Sequence, residues 1–145
     1  MSIVIKFFVA PDRDAAAAVV GGGPDGVFES LTYGNFDAEE ALIEWESIFT
    51  GRSFEELVAA DEPEVIADPG DGEGPLVLAV SRTVKDALAG ADELRLGEVG
   101  RLWLQERAED GEVLDQQTAA GILRALAGLA RAVGGREDRL YCWMA

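Results

Sequence analysis

"PLVLAV", residues 75–80, followed at once by Ser81 and "RTVKDAL", decides the fold class. A strand with one wet face alternates apolar and polar residues. An unbroken apolar run bounded by turn residues reads instead as a strand covered on both faces, central to a sheet. Ser81 has the side chain of a helix N-cap, and the spacing predicts a helix over residues 82–88. A buried strand that runs straight into a helix needs further strands beside it and helices across it.

Working outward, three other segments supply strands. Residues 3–10 (IVIKFFVA) put Ile3, Ile5, Phe7 and Val9 on one face and Val4, Phe8 and Ala10 on the other, broken by Lys6. Residues 27–33 (VFESLTY) alternate Val27, Leu31 and Tyr33 with more polar positions. Residues 139–144 (RLYCWM) put Leu140, Cys142 and Met144 on one face and Tyr141 and Trp143 on the other. "EVIA", residues 64–67, is a short candidate strand inside an acidic, Pro- and Gly-rich loop over residues 61–74.

The intervening segments carry helix signals. Pro11 suits the first position of an alanine-rich helix, which "GGGPDG" at residues 21–26 stops. Asp37 with Glu40, and Ser53 with Glu56, have capping-box spacing. The first of these helices runs to Gly51 with Ala38, Ala41, Leu42, Trp45, Ile48 and Phe49 on its core stripe; Pro63 stops the second. Asp92 opens a helix to about residue 108 with Leu96, Val99 and Trp103 on one face, and "EDGE" at residues 109–112 makes a turn. Asp115 caps the longest helix, residues 116–133, ended by Gly134 and Gly135. Its stripe is Ile122, Leu123, Leu126, Leu129, Ala130 and Val133, and Gly121, Ala125 and Gly128 leave room for another element to approach closely. These helical segments lack regular βαβ spacing. The expectation is a single α+β domain over residues 1–145, with a mixed sheet of about four strands and helices packed mainly on one side.

At 145 residues and 48% hydrophobic composition, the chain is long enough to bury one core. A lone cysteine, Cys142, rules out an intramolecular disulfide and favours a reducing compartment. The N-terminal apolar run is too short for a membrane span and has no basic stretch before it. A soluble cytoplasmic protein is expected. The Ala-, Gly-, Asp-, Glu- and Arg-rich, Lys-poor usage resembles that of a high-GC bacterium. There is no histidine, which excludes Ser-His-Asp and Cys-His nucleophile systems and His-containing zinc sites. "GGGPDG" precedes a strand rather than the helix a phosphate loop needs, and "DPGDGEG" at residues 68–74 lacks the order of a calcium loop. No cofactor or metal is expected, and the balance is against an enzyme.

Charge is the feature left over. The chain has 28 acids and 12 bases, for a net charge of −16. Residues 29–74 hold 14 of the acids and one base, Arg52. Nucleic acid and anionic membrane are poor partners for such a surface, because phosphate binding needs Lys and Arg. Acids in the first turns after Asp37 and Ser53 complement the helix dipole, which leaves Glu44, Glu46 and the later acids unexplained. With Glu39, Glu40, Glu44 and Glu46 off the core stripe, five carboxylates spaced roughly 4 Å apart along a helix about 20 Å long approach the phosphate spacing of a DNA strand. The expected function is a protein-interaction module offering an acidic face to a basic partner, with Glu39, Glu40, Glu44, Glu46, Glu56, Asp61 and Glu62 as contact residues. Immunity proteins, antitoxins and nucleic-acid mimics are comparable by charge alone. The alternative is a small-molecule-binding domain or a carboxylate-dependent enzyme, its pocket between sheet and helices, with Glu40 and Glu44 as the acid–base pair. A homodimer closed by an apolar strip near Trp143 is the third reading; monomer and homodimer both stay open.

Overall fold

The computed structural model describes residues 4–34, 36–71, 73–109, 115–133 and 138–145. Ile3, Gly72, most of the "EDGE" turn and the Gly134–Gly135 stop lie outside these. The described residues form β1 (Val4–Ala10), α1 (Arg13–Ala18), β2 (Ser30–Gly34), α2 (Ala38–Thr50), α3 (Phe54–Ala59), β3 (Glu64–Ala67), β4 (Leu76–Ala79), α4 (Arg82–Gly90), α5 (Glu93–Glu109), α6 (Gln116–Arg131) and β5 (Arg139–Met144).

The five strands make one sheet in the order β2-β1-β5-β4-β3. Every pairing is antiparallel, so the mixed sheet expected from the sequence is corrected. The irregular crossovers carry three helices between β4 and β5 yet return the chain beside β4 in the opposite sense. β4 is interior, as its unbroken apolar run requires, and "EVIA" is a true edge strand, with a register shift between Val65 and Ala67. Two boundaries also move. β2 begins at Ser30 and leaves Val27 exposed in the preceding loop. α1 is capped by Asp12, so Pro11 lies outside it.

Strand alternation sorts the core into two layers. Ile5, Phe7, Leu78, Leu140 and Cys142 face α2, α4, α5 and α6. Phe8, Ala10, Val77, Ala79, Tyr141 and Trp143 face α1 and its following loop. Cys142 is fully buried, which pushes its thiol pKa up and keeps it protonated. Trp45 and Trp103 meet edge to face, 5.0 Å apart, at the centre of the larger layer. Gly23 takes φ +88° with the Trp143 ring 3.5 Å from where its Cβ would sit, while Trp143 Nε1 donates to Val20 O at 2.8 Å.

All six helices among the described residues begin with an Asp or Ser whose side chain accepts a backbone N–H three residues on: Asp12, Asp37, Ser53, Ser81, Asp92 and Asp115. Gly51 closes α2 in the left-handed region, at φ 79°, with its N–H donated to Ser47 O. The close helix–helix approach is not at Gly121 or Gly128, where an added Cβ would meet nothing within 4 Å. It is at Gly100 of α5, whose Cβ would sit 3.4 Å from the Ala120 backbone of α6.

Candidate functional site

The acids concentrated in the sequence fall on two sides of α2. This helix lies against α3, α4 and α5 as well as the sheet, so it is buried over a broad arc: Ala38 and every residue from Ala41 to Glu46. Glu44 and Glu46 are therefore interior, 3% and 5% exposed, which corrects their expected position on the solvated side of the helix. Each flanks the apolar stripe at i+3 or i+4 from a core residue, Ala41 for Glu44 and Leu42 for Glu46.

Glu46 is directed toward α4. Its Oε1 accepts a 2.6 Å hydrogen bond from Ser81 Oγ, the residue that also caps α4, and Arg52 Nη1 lies 4.0 Å from Oε2. A hollow of about 10 Å³ lined by Leu42, Ile43, Glu46, Glu62, Pro63, Ser81 and Val84 adjoins it. That volume is about one water.

Glu44 points the other way, toward α5. Arg107, itself 4% exposed, reaches across with Nη2 2.9 Å from Glu44 Oε1 and 3.3 Å from Glu40 Oε1, and Nη1 donates to Glu40 Oε2 at 3.4 Å. Glu106, one residue earlier in α5, lines the same surface depression as Glu44. Burial, then the Glu106 carboxyl, raises the Glu44 pKa to about 8, against the lowering effect of Arg107.

Outside this interior cluster the surface is grooved. A depression of about 390 Å³ is lined by Glu40, Glu44, Phe54, Glu55, Glu106, Arg107 and Glu109. It shares Glu40 and Phe54 with a second, of about 270 Å³, bounded also by Asp37, Glu39 and Ile43. The second shares Glu39 with a third, of about 430 Å³, lined by Val58, Asp61, Glu62, Pro63, Glu64 and Val65. The three are neighbours through these shared residues and together make an acidic, grooved surface from the edge strand β3, past the N-terminal end of α2, to the C-terminal end of α5. Ten carboxyl groups border it, against the guanidinium of Arg107. Burial, and after it mutual repulsion, acts on its members. Glu39 is raised by burial and by Asp37 and Asp68, and Glu62 by burial and by Glu46 and Glu64, opposed by Arg139 and Arg52. Apolar spots interrupt the acids: Val58 and Val65 are about half exposed.

Of the seven acids singled out from the sequence, Glu39, Glu40, Glu44, Asp61 and Glu62 border this groove. Glu46 does not, and Glu56 is exposed on α3 with Arg52 Nε 3.6 Å away. Glu55 and Glu64 belong to the acidic segment but were not singled out, and sequence reasoning missed Glu106, Arg107 and Glu109, which join from α5. Bases from distant parts of the chain neutralise some of the segment: Arg107 at Glu40 and Glu44, and Arg13 and Arg139 at Glu64. The carboxylate ladder imagined along α2 is thus interrupted, since two of its five rungs are interior.

Among the described residues, no group of three or more acidic, Cys or His side chains is arranged to hold a metal ion, and no helix is long and apolar enough to cross a membrane. Compared with known proteins, the chain matches no family model, no curated protein and no solved structure.

Proposed function

We propose that this protein is a non-catalytic interaction module whose acidic groove receives a basic protein. The observation that carries the reading is the clustering of carboxyl groups: those of α2, α3, β3, α5 and the loop before β3 line three neighbouring depressions that share residues. A cleft lined by one sign of charge focuses the field and raises the on-rate of an oppositely charged partner. The half-exposed Val58 and Val65 offer the apolar contact that charge alone lacks.

The pocket-based alternative draws less support. The hollow between α2 and α4, about 10 Å³, has room for about one water, and the larger depressions, about 270–430 Å³, are open surface grooves bordered by carboxyls rather than enclosed pockets between sheet and helices. A linear mimic of nucleic acid is also disfavoured by the interior positions of Glu44 and Glu46.

The test is to titrate an N-acetylated deca-lysine peptide into isotope-labelled protein and follow backbone amide shifts. The reading predicts perturbation centred on the α2 N-terminal turn, α3, β3 and the end of α5. Shifts spread evenly over the surface, or centred on the α1 side of the sheet, would count against it.

A further inference from the structure

The two edges of the sheet differ in how they are guarded. β3 carries the devices that keep an edge strand from pairing. Pro63 stands before it, Glu64 opens it with Arg13 and Arg139 on its carboxylate, and its register shifts between Val65 and Ala67. β2, at the opposite edge, has none of them. Its residues, Ser30–Gly34 (SLTYG), include no charge and no proline, and each pairs with β1 in unbroken register.

The hydrogen bonds of β1 fix which way the β2 backbone faces. Val4 N–H donates to Ala145 O at 2.8 Å and Val4 O accepts from Ala145 N–H at 3.0 Å, so both groups point toward β5. Antiparallel neighbours alternate between bonded and unbonded pairs. Ile5 and Phe7 therefore bond to Tyr33 and Leu31, while Ser30, Thr32 and Gly34 turn their N–H and C=O groups outward, away from β1. Thr32 and Gly34 are exposed, and among the described residues nothing bonds to these outward groups.

Outward groups at the first, third and fifth positions make the strand its own complement. With Thr32 on a two-fold axis, an antiparallel second copy sets Thr32 opposite Thr32 and Ser30 opposite Gly34, and each such pair exchanges two main-chain hydrogen bonds. Leu31 of one copy then stands opposite Tyr33 of the other. Both are half-buried on the helix side, where Tyr33 meets Phe7 edge to face at 6.3 Å, so the larger apolar layer continues across the junction. Charge permits the contact here. Lys6, opposite Thr32, is paired with Asp25, and Ser30 Oγ donates to the same carboxylate. Acids return only beyond the two ends of the strand, at Glu29 and Asp37. Repulsion between two chains of net charge −16 thus acts at the rim, where salt relieves it. Trp143, by contrast, is 8% exposed in the central strand β5 with its ring against Gly23, so the dimer strip expected near it is covered.

We propose that β2 is a self-association edge, at which two copies of this chain join β2 to β2 about Thr32 into one continuous antiparallel sheet. The contact uses none of the residues that line the acidic groove. A strand of five residues covers less than the roughly 1,200 Å² of a standard interface, so the dimer is weak, with a Kd on the order of 0.1 mM.

The experiment is analytical ultracentrifugation and amide hydrogen exchange of the full chain between about 0.01 and 1 mM, in about 0.1 M and 0.5 M salt. A monomer–dimer equilibrium is expected, tighter at the higher salt. The amides of Ser30, Thr32 and Gly34 slow about fourfold between the two concentrations, while those of Leu31 and Tyr33 are slow at both. Thr32→Lys leaves the bonds to β1 intact and sets like charges opposite each other on the axis, so it weakens the dimer at least tenfold. A monomer at every concentration and salt overturns the proposal, as does a dimer that leaves the three outward amides fast or survives Thr32→Lys unchanged. If the chain stays monomeric and the acetylated deca-lysine peptide slows these amides instead, the edge takes a foreign strand and the self-association is overturned. Should the variant fold poorly, the alternating exchange pattern of the wild type decides alone.

Discussion

Glu46 carries a carboxylate into the protein, and one hydroxyl holds it there. The 2.6 Å bond from Ser81 Oγ has the length of a charge-assisted hydrogen bond, and the same oxygen accepts the Val84 N–H that starts α4. Ser81→Ala therefore removes a helix cap and a buried anion's donor together. We expect a loss of about 2–4 kcal/mol in urea unfolding, more than a cap alone accounts for. A loss under 1 kcal/mol would mean that water replaces the hydroxyl freely. Glu44 gives the complementary case. Its folded pKa is raised, so between the ordinary carboxylate value of 4.5 and about 8 the native state holds a proton that the unfolded chain has released. Stability from this group is fully present below pH 4.5 and is lost as pH rises to about 8, with no further change above. Glu44→Gln should flatten that decline, gaining about 2–4 kcal/mol relative to wild type at pH 8.5 compared with pH 5. Parallel stability curves for the two proteins would refute the assignment. Neither interior acid was legible beforehand. The helical pattern put them off the core stripe, and their partners, Ser81 for Glu46 and Arg107 for Glu44, are 35 and 63 positions distant in the chain.

At the scale of elements, the helix starts were the most readable feature. Asp37, Ser53, Ser81, Asp92 and Asp115 cap as their spacing implied, because the interaction spans three residues and depends on nothing remote. Glu40 shows the limit of that locality, for its carboxylate is engaged by Arg107 from α5. Helix contacts were not readable. Small residues at 121 and 128 look like a contact stripe, yet α6 meets α5 through Gly100 and the backbone of Ala119 and Ala120. Gly100→Leu should force α5 and α6 apart and cost about 2–4 kcal/mol, since overpacking at a backbone contact has little room to relax. Gly121→Ala should be neutral or gain up to about 1 kcal/mol from helix propensity. Thermal or urea unfolding of the two variants separates these outcomes; equal effects would show that the Gly100 contact carries no packing constraint. Strand boundaries shifted for a related reason. Val27 fits the alternation, but the chain before Ser30 is turning away from β1, and only pairing decides where a strand begins.

For the whole molecule, the pattern of long-range pairing is what a single sequence conceals. Four strands and the covered faces of β4 and β5 could be read from their own residues. The antiparallel order could not, because it depends on how three helices between β4 and β5 bring the chain back. The groove has the same character. Its acids from residues 37 to 64 were apparent as a cluster, while Glu106, Arg107 and Glu109 join it only through the packing of α5 beside α2. The docking account claims that this arrangement, and not the net charge of −16, attracts a basic partner. Two variants with equal charge separate those possibilities. One neutralises Glu39, Glu55, Asp61, Glu62 and Glu109 of the groove; the other neutralises Asp14, Glu29, Glu73, Asp86 and Glu93, which are exposed elsewhere. Affinity for the acetylated deca-lysine peptide, measured at about 0.1 M salt so that charges beyond roughly 10 Å are screened, is the direct comparison. The account predicts at least a tenfold loss in the groove variant and less than a threefold loss in the control; equal losses in the two would contradict it.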